Sequence, residues 1–201
     1  ITKHDQECGP DGMLSKSEVL RSAFSTPNIS GVILRIDSGG GEGMAMRGFV
    51  EAMHERNKPV VAFIEDMACS AAYGIASAAD HVVANSELAT VGSIGTYLTI
   101  ADYTKYYENQ GIKLTDVYAE ASTDKNKPYL EALKGNFKPV QELANSFNDY
   151  FLDLIQTNRG DKLSADRKKW GTGRTWQAAE ALELGLVDEI NTFSNVLNSF
   201  V

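Results

Sequence analysis

The sequence predicts an α/β fold with a largely parallel sheet. Short β-branched runs alternate with helix-forming stretches along most of the 201 residues. The run Val32-Ile33-Leu34-Arg35-Ile36-Asp37 ends in Ser38-Gly39-Gly40-Gly41-Glu42-Gly43, and an amphipathic stretch comes next. A second β-branched run, 59–64, passes into the alanine-rich stretch 67–80. Strand, turn and helix repeated in this way imply right-handed crossovers and parallel pairing.

Taken in order, residues 1–16 are polar and carry the turn signal Gly9-Pro10-Asp11-Gly12, so they read as a flexible N-terminal segment. Residues 17–24 form a short helix that Ser15 or Ser17 can cap. Strand 32–37 is followed by helix 44–56. Strand 59–64 leads into the alanine-rich helix, and 81–84 is a third strand. Residues 89–100 are β-rich, interrupted by Gly92-Ser93-Ile94-Gly95. Residues 101–110 are helical, 114–118 a strand and 119–127 a loop. A long helical stretch runs to about residue 159, where Pro139 is a point of kinking or division. A short helix at 161–170, a turn at 171–176, helix 177–184 with Gly185 as its C-cap, and a strand-like piece at 186–190 complete the pattern.

The length fits a single domain over 1–201. A net charge of -8 argues against a nucleic-acid surface, which would be basic. Two cysteines, Cys8 and Cys69, do not make a disulfide scaffold, and Cys69 reads as a small buried hydrophobe. No run of about 18 apolar residues is present, so no membrane span is expected, and the expected location is cytoplasmic. The chain begins at Ile1 rather than Met, which leaves room for an upstream segment or anchor.

The chemistry centres on Ser70. In the alanine-rich stretch it sits on the first turn of a predicted helix, where free N–H groups favour developing negative charge. It reads either as an N-cap of a core helix or as a nucleophile. Ser38-Gly39-Gly40-Gly41 is not a phosphate loop, because no Gly-Lys-Ser/Thr follows and Met44 occupies the third glycine position of Gly-x-Gly-x-x-Gly. It is either a tight turn or a place where backbone N–H groups approach a substrate carbonyl. One donor from that loop and one from Ala71 would make a two-donor hole. The three histidines, His4, His54 and His81, have no obvious carboxylate partner at a strand end, which disfavours a Ser-His-Asp triad. A lysine is the other base, and Lys125 lies in a loop after a predicted strand.

Four pieces together are specific. Leu34-Arg35-Ile36-Asp37-Ser38-Gly39-Gly40-Gly41 resembles the Arg-Ile/Val-Asn-Ser-Pro-Gly-Gly strand end of the signal peptide peptidase A/protease IV family of Ser-Lys peptidases. Cys69-Ser70-Ala71-Ala72-Tyr73-Gly74-Ile75-Ala76-Ser77-Ala78-Ala79-Asp80 resembles that family's nucleophile helix. Ala84-Asn85 through Val91-Gly92-Ser93-Ile94-Gly95, and Gly173-Arg174-Thr175-Trp176 through Gly185-Leu186-Val187-Asp188, resemble its later motifs. The likeness covers roughly 31–190.

The resemblance implies a ClpP/crotonase-like fold of repeated ββα units with a largely parallel sheet flanked by helices. It implies Ser70 as nucleophile, Lys125 as general base with Lys127 as runner-up, and Ser93 orienting the lysine. The oxyanion hole would come from backbone N–H groups of Gly40 or Gly41 and of Ala71. No metal or cofactor is called for. The implied function is a serine endopeptidase acting on peptides or unfolded protein. A phage-type capsid assembly or scaffold protease is favoured over a signal peptide peptidase degrading cleaved signal peptides. A catalytically silent assembly module and a crotonase-type acyl-CoA enzyme are the other readings. A homo-oligomer is expected, with the helix at 128–159 as its interface. The chain departs from the family pattern at Gly39 for proline, Asp37 for asparagine and Ala71-Ala72 for Gly-Gly.

Overall fold

The computed structural model describes residues 1–199. The elements run α1 (Met13–Ser25), β1 (Val32–Ser38), α2 (Gly43–His54), β2 (Val60–Cys69), α3 (Ala71–Ser77), β3 (His81–Ala84) and β4 (Thr90–Gly92). They continue α4 (Thr104–Asn109), α5 (Lys127–Leu133), α6 (Lys138–Arg159), β5 (Thr175–Gln177), α7 (Ala178–Glu183), β6 (Glu189–Ile190) and α8 (Phe193–Asn198). The chain divides into two compact units, one of Ile1–Gly95 with Tyr150–Val201, the other Thr96–Asp149.

The first unit holds the predicted sheet. Its order is β5-β4-β2-β3-β6, with β1 also on β2, and every pairing is parallel except β4 with β5. The ten-residue β2 is the hub. Its first half pairs with β3 from Val61↔His81 to Ile64↔Ala84, and its last residues pair with β4 at Met67↔Thr90 to Cys69↔Gly92. The change of partner coincides with a bulge. Between Ile36↔Ile64 and Ser38↔Ala68, Asp37 alone on β1 faces Glu65, Asp66 and Met67 on β2. A bulge bends a strand and re-aims its later residues, and here β2 leads directly to Ser70.

Alternation along β2 explains the two-sided packing. Val60, Ala62 and Ile64 join the main core with Phe49, Val50 and Met53 of α2 and Tyr73 of α3. Phe63 and the half-buried Val61 face the other way, against Ile33, Val83, Phe193 and Val196. All seven residues of α3 are buried. Small side chains make that possible, and a Cβ at Gly74 would stand 3.2 Å from Phe151.

The Gly185-Leu186-Val187-Asp188 segment is locked by one buried ion pair. Arg159 Nη1 and Nη2 bond the two Asp188 carboxylate oxygens at 2.9 and 2.8 Å, and Arg159 also donates to the Gly185 carbonyl. The Val82 N–H and Lys162 Nζ also bond Asp188, at 2.8 and 2.7 Å, and His81 Nδ1 lies 3.8 Å from it.

Several elements differ from the sequence reading. The first helix starts at Met13, because Met13 and Leu14 N–H groups donate to the Thr2 and Lys3 carbonyls and satisfy the first turn. Met67–Cys69 belong to β2 rather than to the alanine-rich helix, since β4 offers them a ladder. The β-rich 89–100 contracts to β4. Residues 161–170 hold two 3₁₀ turns, at Gly160–Lys162 and Arg167–Lys169. The turn at 171–176 contributes its end to β5, and α8 has no counterpart in the sequence reading.

In the second unit, the helix read at 101–110 contracts to α4, and the long helix divides at Gly135 (φ 86°), not at Pro139. Pro139 lies in the first turn of α6, where its missing N–H costs nothing. Residues 114–118 are not a strand. They are exposed, and a strand needs a ladder partner that this unit lacks among the described residues.

Candidate active site

Ser70 occupies a one-residue elbow between β2 and α3, with φ 53° and ψ -127°. A non-glycine residue in that region is strained, by about 1–3 kcal/mol. The surroundings enforce it. The Ser70 N–H donates to the Gly92 carbonyl at the end of β4 (2.8 Å), and the Ser70 carbonyl accepts from Gly74 N–H (3.0 Å). The elbow is therefore clamped by the neighbouring strand behind it and by the helix ahead. Ser70 itself is half-buried.

The glycine loop lies against this elbow. A Cβ on Gly40 would stand 2.8 Å from both the Cys69 carbonyl oxygen and Ser70 Cβ, and 3.2 Å from the Ala71 nitrogen. Only glycine allows that approach, and Gly40 and Gly41 also take φ of 112° and 147°. The Gly40 carbonyl accepts from the Ile1 nitrogen (2.8 Å), and Glu42 N–H donates to the Ile1 carbonyl (3.0 Å). The Gly40 N–H donates to Ser38 Oγ at 3.2 Å. A cavity of about 550 Å³ runs beside β1, with Leu34, Ile36, Phe49, Ala72 and Ile75 among its walls.

Ser93 follows β4 directly. It too has a positive φ, 51°, and its N–H donates to the Arg174 carbonyl at 2.8 Å. Gly92, whose carbonyl holds Ser70, lies under the Trp176 ring, 2.6 Å from where a Cβ would be. Ser70, Ala71, Gly40, Gly41 and Ser93 thus belong to one constellation at the ends of β1, β2 and β4.

Lys125 belongs to the second unit. It is exposed and borders a shallow hollow with Asp116, Tyr118, Ser122 and Asn126. Lys127 is bonded to Asp124 at 2.8 Å, and that carboxylate raises its pKa, the wrong direction for a base at neutral pH. His54 bonds Asn158 and His81 bonds Glu189, both at 3.1 Å, while His4 is exposed. Cys69 is buried as expected, and burial pushes its thiol pKa up.

Three features were not read from sequence: the left-handed backbone at Ser70 and Ser93, the Trp176 lid on Gly92, and the Ser38 bond to Gly40. The last had a signal, since a serine two residues before a glycine is a common side-chain-to-backbone turn.

The model of peptidase family S49 matches residues 52–200. Protease 4 of Haemophilus influenzae is 32% identical over 190 residues, which cover 90% of this chain and 30% of that protein. Capsid assembly protease C of Escherichia phage lambda is 27% identical over 186 residues, 90% of this chain and 40% of that protein. The chain therefore spans well under half of either relative. Among solved structures, an enoyl-CoA hydratase/isomerase family protein from Silicibacter pomeroyi superposes with a TM-score of 0.55 over 96% of this chain and 72% of that one. At 14% identity that likeness establishes the fold alone, which is crotonase/ClpP-like.

Proposed function

Because this chain belongs to peptidase family S49, we propose that it is a serine endopeptidase using Ser70 as nucleophile and Lys125 as general base. The observation that carries the reading is the strained Ser70 elbow with Gly40 pressed against it. A strained strand-to-helix turn is how a serine nucleophile is presented, and abutting backbone N–H groups are how its oxyanion is held.

The proposed step is acyl transfer. Neutral Lys125 takes the Ser70 hydroxyl proton as Oγ attacks the peptide carbonyl carbon. N–H groups of Gly40 or Gly41 and of Ala71 stabilise the oxyanion. The C–N bond then breaks, and the lysine returns the proton to the leaving amine. Water, deprotonated by the same lysine, next attacks the acyl-serine; the C–Oγ bond breaks, the lysine returns the proton to Ser70 Oγ, and a carboxylate is released. Ser93 is the residue proposed to orient the lysine. No metal or cofactor enters this balance.

The likeness to a phage capsid assembly protease supports a substrate among head scaffold proteins, with cleaved signal peptides as the competing class. The test is hydrolysis of apolar fluorogenic peptides and of an unfolded protein. Ser70→Ala and Lys125→Ala are each expected to lower kcat by about 10³-fold or more, and Lys127→Ala to leave it within a few-fold. If Lys125→Ala keeps activity, the base is misassigned. An inactive wild type would favour a silent assembly module, and thioester turnover would favour an acyl-CoA enzyme.

We also propose that the working form is a homo-oligomer assembled through residues 96–149. Ala132 is the one buried residue of that unit, while Tyr97, Leu114, Val117 and Phe137 are 60–91% exposed. Where such side chains adjoin they mark an interaction site, and these four are the ones proposed to meet a second copy. Light scattering is expected to give a multiple of the 21.9 kDa chain mass. Val117→Asp with Phe137→Asp is expected to shift the particle toward the monomer, and a wild-type monomer at micromolar concentration would overturn the proposal.

A further inference from the structure

We propose that Ser38 is a positioning residue for the oxyanion loop: its hydroxyl oxygen holds the Gly40 N–H, and so fixes the peptide group that lies against Ser70. The inference rests on the reading of Ser70 as nucleophile.

The loop Gly39-Gly40-Gly41 has no side chain of its own with which to pack. Consecutive glycines lose more backbone freedom on ordering than any other sequence. The stiffening proline of the related motif is absent, with Gly39 in its place. The loop must nevertheless keep Gly40 beside the nucleophile, where the closest approach leaves no room for a Cβ.

Two contacts hold the Gly40 residue. Its carbonyl accepts from the Ile1 nitrogen at 2.8 Å, and its N–H donates to Ser38 Oγ at 3.2 Å. Only the second comes from the element that carries the loop. Ser38 is the last residue of β1 and is paired in register with Ala68, two residues before Ser70. Its half-buried side chain is therefore referenced to the same strand that delivers the nucleophile. Through Ser38, the donor amide and Ser70 share one rigid frame.

The bond length suits this role. At 3.2 Å it lies at the long end for N–H···O. The amide is held in direction without being strongly engaged, so it can turn to an incoming oxyanion at little cost. A loop ordered beforehand beside the nucleophile need not be ordered as the transition state forms, so the bond acts on turnover more than on substrate binding.

The experiment compares wild type, Ser38→Ala and Ser38→Thr by amide hydrogen exchange and by steady-state peptide hydrolysis, with Ser70→Ala as the control that defines enzyme-dependent turnover. Ser38→Ala is expected to speed exchange at the Gly40 amide several-fold and to lower kcat by about 10–100-fold, short of the full loss of an oxyanion donor. KM is expected to stay within about twofold. Ser38→Thr, which keeps the hydroxyl, is expected to recover most of kcat. The urea midpoint should hardly move. Should Ser38→Ala fail to fold, Ser38→Cys keeps the volume with a weaker acceptor and carries the same comparison.

Unchanged Gly40 exchange in Ser38→Ala would overturn the inference. So would faster exchange with undiminished Ser70-dependent kcat, or an equal loss in the alanine and threonine variants. Turnover that does not depend on Ser70 would instead remove the reading on which the inference stands.

Discussion

Replacing Ser70 with glycine is expected to make the protein more stable and inactive at once. The serine is held at φ 53° and ψ -127° by the bonds of its N–H to Gly92 and of its carbonyl to Gly74. Strain of this kind costs about 1–3 kcal/mol, and glycine relieves it while losing about 0.5–1 kcal/mol of backbone entropy relative to alanine. The expected net gain is about 1 kcal/mol, read as a higher urea midpoint at unchanged slope. Ser70→Ala keeps a Cβ, so it keeps the strain and should match wild-type stability. Both variants should lose about 10³-fold or more in kcat if Ser70 is the nucleophile. Equal stability of the glycine and alanine variants would show that the elbow stores no strain. Loss of activity in both with that equality would leave the catalytic assignment intact.

Breaking the Arg159–Asp188 pair is expected to cost several kcal/mol of stability, about 3–5. The Arg159 side chain is 1% exposed and that of Asp188 9%. Arg159→Leu leaves the carboxylate with Lys162, the Val82 N–H and, at 3.8 Å, His81 Nδ1 as its remaining partners, and strips a donor from the Gly185 carbonyl. Removing one partner of a buried pair costs about 3–5 kcal/mol. Against a total stability of about 5–15 kcal/mol, that brings the chain close to unfolding. Denaturant titration of Arg159→Leu checks it, and a loss under about 1 kcal/mol would contradict the network's role.

The same pair sets an acid limit. Burial opposes the Asp188 charge, but Arg159, Lys162 and the Val82 N–H outweigh it and hold the carboxyl well below its usual range. A carboxyl with a lower pKa folded than unfolded stabilises fully above its unfolded value, about 3.9. That contribution is lost as pH falls through the folded value. Stability should therefore decline below about pH 4, and Asp188→Asn should flatten that decline while lowering stability at neutral pH.

Much of this site was legible in the sequence because the residues that build it are chemically unusual. A glycine run after a β-branched strand can hardly pack by itself, and an alanine-rich stretch after another strand announces close helix packing. Those two features located Ser70, Ala71, Gly40 and Gly41, and the structure places them together. The parallel sheet was likewise legible from alternation alone. Conformation that depends on partners could not be read. Met67–Cys69 look helical by composition and are strand because β4 lies beside them. Leu114 to Tyr118 look like a strand and are none, for want of a ladder. The positive-φ backbone at Ser70 is invisible in a residue that normally avoids it, since it is imposed by Gly92 and Gly74. Lys125 carries no local mark, because an exposed loop lysine is ordinary in sequence and in structure alike.

The order of strands has a consequence for synthesis. The outermost strands of the sheet path, β5 and β6, lie beyond residue 174, while the β2, β3 and β4 they flank lie before residue 93. As the polypeptide leaves the ribosome, the inner strands can associate early, but β3 and β4 keep open edges until Thr175–Gln177 and then Glu189–Ile190 emerge. Residues 96–149 must be made in that interval. Open strand edges recruit other chains, so the nascent protein passes through a window of exposure to aggregation that closes only once residues 175–190 have been made.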